Sequence, residues 1–227
     1  MILERIYIQH EEIVKSMNIK YHTTQTVIPE YLDALSCWLL KVEMNPEDQE
    51  DWKVIYSMND SGHSWQQFSK SVVQKGPTLL IVKDTLGNIF GAYARESWSP
   101  SPNFYGNAFI FQIAPKLKIY LPTNFNQNFQ YFNQGCKMLP NGLGIGGQLG
   151  FFALWIDSNF KNGESRPTAT FENQSLSSHP EFVIKDLIVV QLTNFESTTS
   201  NPDSSKRNEA LHFLDLAGAR PSTKHQN

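Results

Sequence analysis

Apolar residues recur along this chain with two periods, and the change between them divides it. After Pro29, which a first helical turn tolerates because its N–H would be unpaired there, Leu32, Leu35, Trp38, Leu39 and Val42 fall three and four residues apart. That spacing predicts one stripe of an amphipathic helix. A weaker helical segment covers Glu11 to Met17. From Trp52 the period shortens. Trp52–Ser57 reads as a strand and Asn59-Asp60-Ser61-Gly62 as a turn. Ser64, with Gln67 three residues on, is a capping-box start for a helix to Val73 whose Phe68 and Val72 are an i, i+4 pair. Gly76-Pro77 stops it. Leu79–Val82 and Ile89–Ala94 flank a turn at Asp84–Asn88 and predict a hairpin. Ala108–Ile113 and Leu117–Leu121 form a second pair around Ala114-Pro115-Lys116.

Beyond that pair, Asn124 to Tyr131 reads as a polar loop leading to a short strand at Gln130–Asn133, and Gly150–Ile156 as an apolar strand. Phe182 to Leu192 alternates, with Phe182, Ile184, Ile188, Val190 and Leu192 on one side and Asp186 as the exception. Many short strands with few helices, and no strand–helix–strand rhythm, favour antiparallel sheets packed on each other. The tail is different. Ser197 to Asn208 has a linker composition, and Ala210, Leu211, Phe213, Leu214, Leu216 and Ala217 then form an apolar helical segment stopped by Gly218. So short a helix is marginal alone in water, so its face needs a surface, on its own domain or on a partner. The organisation expected is an N-terminal helical segment and acidic hinge over 1–51, the main domain over 52–195, a polar linker over 196–207, a docking helix over 208–218 and a disordered tail over 219–227.

Composition narrows the classes. With 227 residues, 40% hydrophobic and 18% charged, the chain can build one sizeable core and is neither a disordered acidic chain nor a coiled coil. A net charge of -3 and the lack of a Lys/Arg run argue against a nucleic-acid binder. Met1 to His10 has no secretory-signal pattern and no run reaches a membrane span. The expected location is cytoplasmic, or peripheral to a membrane's cytosolic side. Two cysteines, Cys37 and Cys136, make no disulfide framework, and buried reduced thiols are expected.

Candidate chemistry is thin. Gly142-Leu143-Gly144-Ile145-Gly146-Gly147 fits GxGxxG, but a dinucleotide site needs a strand before it and a helix after it, and a strand-like run follows instead. Six of the 13 glycines lie between Gly135 and Gly150, so Gly142, Gly144, Gly146, Gly147 and Gly150 read as a structural glycine loop feeding a buried strand. The six histidines, His10, His22, His63, His179, His212 and His225, form no metal-ligand spacing. Asp157 reads as a turn-capping carboxylate at a strand end. Asp60, His63, Ser61 and Ser64 are explained by a polar turn before a capped helix. No catalytic residue, cofactor or metal site is assigned.

Ordered blocks then carry a resemblance. Gly76–Asp84, Gly87–Tyr93, Ser97-Trp98, Phe104-Tyr105-Gly106, Phe109–Phe111, Asn141–Gly147, Gly150–Asp157, Gly163, Thr170-Phe171 and Phe182–Val190 resemble the TLDc family. The Pro140-Asn141-Gly142-Leu143-Gly144 form and the tail helix are most similar to its MTOR-associated MEAK7-type branch. The resemblance implies an α+β fold, a two-sheet, mainly antiparallel β-sandwich flanked by short helices, with a separate C-terminal helix. It also implies a non-enzymatic regulator of the vacuolar-type proton ATPase, held on its peripheral V1 subunits at lysosomal or vacuolar membranes, with TOR-pathway proteins as further partners. By position, partner contact falls on Leu211, Phe213, Leu214, Leu216 and Ala217, which would restrain rotation. The alternatives are an oxidative-stress or lysosomal signalling scaffold without pump contact, and a peroxide-handling enzyme using Cys136 or a pocket near Asp157.

Overall fold

The structure is a computed structural model and describes residues 31–49 and 51–193. The expectations for Pro29, for Glu11–Met17, and for the linker, docking helix and tail after residue 193 lie outside the described residues. Helix α1 (Ala34–Glu43) begins where the Asp33 carboxylate accepts the Ser36 N–H at 2.7 Å, an N-cap. Its buried face is offset from the predicted stripe. Ser36, Cys37 and Leu40 are buried, with Leu32 before and Met44 after, while Leu35, Trp38 and Leu39 are half-buried and Val42 is 54% exposed. The segment is apolar over most of its circumference, so spacing alone admits two stripes. Packing against the sheet selects the one containing Leu32, Leu40 and Met44.

A 3₁₀ turn (Pro46–Asp48) leads to β1 (Asp51–Ser57). The turn expected next is a single helical turn, α2 (Met58–Ser61), because Met58 is drawn into the core at 2% exposure. Helix α3 (Trp65–Val72) starts as expected, with Ser64 Oγ accepting the Gln67 N–H at 3.3 Å. The remaining strands are β2 (Thr78–Asp84), β3 (Ile89–Ala94), β4 (Ser101–Tyr105), β5 (Ala108–Ala114), β6 (Lys118–Tyr120), β7 (Gln130–Asn133), β8 (Gly142–Ile145), β9 (Leu154–Asp157), β10 (Asn162–Glu164) and β11 (Glu181–Thr193). Both predicted strand pairs form, β2 with β3 and β5 with β6.

The class is α+β: a large antiparallel sheet with a few short helices. The strands run β4-β7-β8-β9-β10-β11-β2-β3-β5-β6, with β1 also paired to β11. Leu80, Val82, Phe90 and Ile110 from one limb of this path share a core cluster with Phe132, Leu143, Leu154 and Ile156 from the other. The limbs therefore close on one another about β11. A second cluster lies on the outer face of β2, β3, β5 and the C-terminal half of β11, beneath α1.

Strand β11 serves both clusters because its register against β2 shifts between Ile184 and Asp186. Before the shift Phe182 and Ile184 point into the first cluster. After it Leu187 and Val189 do so, and Ile188, Val190 and Leu192 point into the second. The single apolar side expected from the alternation is thus split. Asp186 marks the bulge.

Candidate functional site

The glycine segment is a strand before it is a loop. Gly142 and Gly144 lie in β8, paired to β7 and β9, and only Gly146, Gly147 and Gly150 belong to the turn that follows. That corrects the expected loop, and the physical reason is aromatic. A Cβ on Gly144 would run into the Phe152 ring, and one on Gly142 would lie 2.6 Å from the Trp155 ring. Phe152 and Trp155 stack with centroids 4.7 Å apart, Tyr131 joins them from β7, and Phe104 packs alongside. Side-chain-free backbone under these rings lets them sit flat on the sheet. The apolar strand expected over Gly150–Ile156 shortens to β9, since Gly150 and Phe151 are used in a turn closed by a bridge between Gln148 and Phe151.

Loops at both ends of this limb are fixed by amides. Asn133 Nδ2 donates to the carbonyls of Cys136, Leu139 and Pro140, each at 3.1 Å, and Tyr131 Oη donates to Pro140 O at 3.0 Å. At the other end Asn128 Nδ2 donates to Gly147 O, Thr170 Oγ1 donates to Asn126 Oδ1 and accepts from Gly147 N, and Thr123 Oγ1 donates to Ala169 O. The Asn/Gln-rich loop is therefore an ordered tie among three loops. Exposed apolar side chains lie on and beside these loops: Leu121, Phe125 (78% exposed), and Leu149 and Phe151 of the glycine turn.

The polar candidates are absorbed by turns. Asp157 Oδ1 accepts the Asn159 N–H at 2.8 Å, as a capping carboxylate should. Buried Asp84 accepts from the Leu86 and Asn88 N–H groups, from Asn88 Nδ2 and from Ser177 Oγ. Tyr56 Oη donates to Gly62 O at 2.6 Å. Cys37 is buried as expected, and burial pushes its thiol up to about 11. Cys136 is exposed, contrary to expectation, because the Asn133 ties hold its backbone in a surface turn. Burial also raises Tyr105 to about 12.

A half-open depression of about 650 Å³ is lined by Asp84, Asp157, Glu164, Glu181, Phe182 and Val183 among others. Its charge is partly balanced: Glu164 and Glu181 are cross-strand partners, and Arg166 reaches Glu164 at 3.0 Å and Glu181 at 3.9 Å. Among the described residues no group of three or more His, Cys, Asp or Glu side chains is arranged to hold a metal ion. Among them too, no helix is long and apolar enough to cross a membrane.

Sequence reasoning missed two tyrosine–carboxylate bonds that tie the ends of the α1 segment to the sheet. Tyr31 Oη donates to Asp186 Oδ2 at 2.7 Å, and Tyr93 Oη donates to Asp48. The polar exception at Asp186 and the buried tyrosine in β3 were the only signals. The proposed contact residues Leu211, Phe213, Leu214, Leu216 and Ala217 lie outside the described residues.

A sheet closed about one shared strand, with its glycines under aromatic rings and its polar groups in turns, defines an architectural domain that presents surfaces. The chain belongs to the TLDc family: the TLDc domain matches residues 23–189, which takes in α1 as well as the sheet. It is similar to the MTOR-associated protein MEAK7 of Mus musculus, 33% identical over 196 residues, covering 82% of this chain and 43% of that protein. The Xenopus laevis MEAK7 is 37% identical over 181 residues, 76% of this chain and 39% of that one. Nuclear receptor coactivator 7 of Homo sapiens is 33% identical over 141 residues, 61% of this chain and 14% of that one. The chain thus spans less than half the length of these relatives.

Proposed function

We propose that this chain is a non-enzymatic regulatory protein that binds the peripheral V1 part of the vacuolar-type proton ATPase on lysosomal or vacuolar membranes. Membership of the TLDc family carries the reading. It is supported by the use of Asp84, Asp157 and the glycine segment in turns and packing. The contact assigned to the pump is the apolar segment with Leu211, Phe213, Leu214, Leu216 and Ala217. Burying its four large side chains contributes roughly 1.5–3 kcal/mol each before ordering losses. A helix bridging moving and static parts of the pump would oppose rotation. TOR-pathway proteins are further proposed partners, in keeping with the name of the MEAK7 relatives.

The test is titration of V1 with the full chain and with a chain lacking residues 208–227. The deletion is expected to leave the sheet folded and weaken binding by about tenfold or more. Equal affinities would refute the assignment of contact to the tail. Failure of the full chain to co-purify with vacuolar membranes would instead favour a signalling scaffold without pump contact.

A further inference from the structure

The segment from Tyr31 to Asp48 lies across one face of the sheet and touches one core only. Its apolar side chains Leu32, Cys37, Leu40 and Met44 join the cluster containing Leu79, Ile81, Phe109, Phe111 and Val190. None of them belongs to the larger cluster on the other face, which holds Phe68, Trp98, Phe132 and Leu154. The polar ties sit at the two ends and run in opposite directions. At the start, a strap tyrosine donates to a sheet carboxylate, Tyr31 to Asp186 at 2.7 Å, with Lys83 Nζ 4.5 Å from the Tyr31 ring centroid. At the far end a sheet tyrosine, Tyr93, donates to the strap carboxylate Asp48. Two buried polar groups lie along the contact between strap and sheet: Trp52 Nε1, on the sheet side, has no hydrogen-bond partner, and Asp48, at the strap's end, is 8% exposed as a residue.

We propose that residues 31–48 form a strap that opens and closes as one unit over this apolar sheet face while the larger core stays folded. Closed, the strap hides the face formed by β2, β3, β5 and β11. Open, it presents that face and frees the two end carboxylates for water. Local opening of this kind follows when an element's contacts are confined to one surface and a separate core holds the rest. The chain carries its own reporter. Cys37 faces the sheet from the middle of the strap and is 3% exposed, so a thiol reagent reaches it only when the strap lifts.

The experiment uses the full chain with Cys136→Ser, so that Cys37 is the single thiol, and follows its modification by a maleimide at increasing urea. The expected result is two regimes. At low urea the rate depends weakly on denaturant, reporting the strap. At high urea it rises with the slope of global unfolding, measured by near-UV circular dichroism. Tyr31→Phe and Tyr93→Phe should each raise the low-urea rate about tenfold, as loss of a hydrogen bond to a buried carboxylate implies, with a much smaller shift in the global midpoint. A single regime with the global slope in the Cys136→Ser protein would overturn the proposal, and that measurement decides it even where a tyrosine variant does not fold. A rate increase no larger than each variant's loss of global stability would overturn it equally.

Discussion

At the scale of single residues, two glycines of the same segment separate packing from backbone conformation. Gly144 lies in β8 with a ring against it, whereas Gly150 has φ +77° and nothing within 4 Å of a built Cβ. Gly144→Ala must push Phe152 off its stack, and such overpacking costs about 1–3 kcal/mol. Gly150→Ala meets only the left-handed penalty, about 1 kcal/mol. Urea midpoints should therefore fall further for Gly144→Ala, and the reverse order would mean that the rings move aside freely. The glycine density was plain in the sequence, but its meaning was not. The residues that require it, Phe152 and Trp155, come from the next strand, and only pairing of β8 with β9 brings them over the glycines. The tyrosine–carboxylate ties were less visible still, joining residues 155 and 45 positions apart.

Elements differ in how far local pattern decides them. Helix α3 and the β2–β3 hairpin follow from caps and turns within a few residues, so they match expectation. Helix α1 and β11 do not, because each has apolar residues to spare and tertiary contacts choose the face. At the end of α1 this choice buries Asp48. Burial raises its pKa above the ordinary carboxylate value, against the lowering by Tyr93 and Arg95, with Glu47 and Glu96 adding to the rise. A raised pKa means that the folded state holds the proton more tightly than the unfolded chain. The stability from this group is thus complete below the ordinary aspartate value, about pH 4, and is lost as pH rises through the folded pKa. Asp48→Asn removes that dependence. Denaturation across a pH series should show the variant gaining on the wild type as pH rises from about 4, then holding level. A wild type that gains on the variant as pH rises from about 4 would place the carboxylate's net effect on the stabilising side.

For the whole molecule, β11 is the element on which cooperativity depends. It pairs with β10, β2 and β1, and its register shift sends Leu187 and Val189 into one cluster and Ile188, Val190 and Leu192 into the other. The limb β4-β7-β8-β9-β10 joins the rest of the sheet through this strand. It also shares the first cluster with the opposite limb, so neither can lose its packing without exposing the other. Leu187, fully buried at the point where the limbs meet, tests this. Leu187→Ala should cost about 2–5 kcal/mol through lost burial and a residual cavity, which for a domain of this size lowers Tm by roughly 2–4 °C per kcal/mol. The shared core and the outer face of the glycine-bearing limb have separate optical reporters: Trp98 packs in the first and Trp155 stacks on the outer face of β9. If β11 couples the limbs, single-tryptophan versions reporting each site will melt at one temperature in the parent and shift together in Leu187→Ala. A Trp155 transition left in place while Trp98 shifts would show that the glycine-bearing limb holds its structure alone, and that β11 joins two folding units instead of closing one.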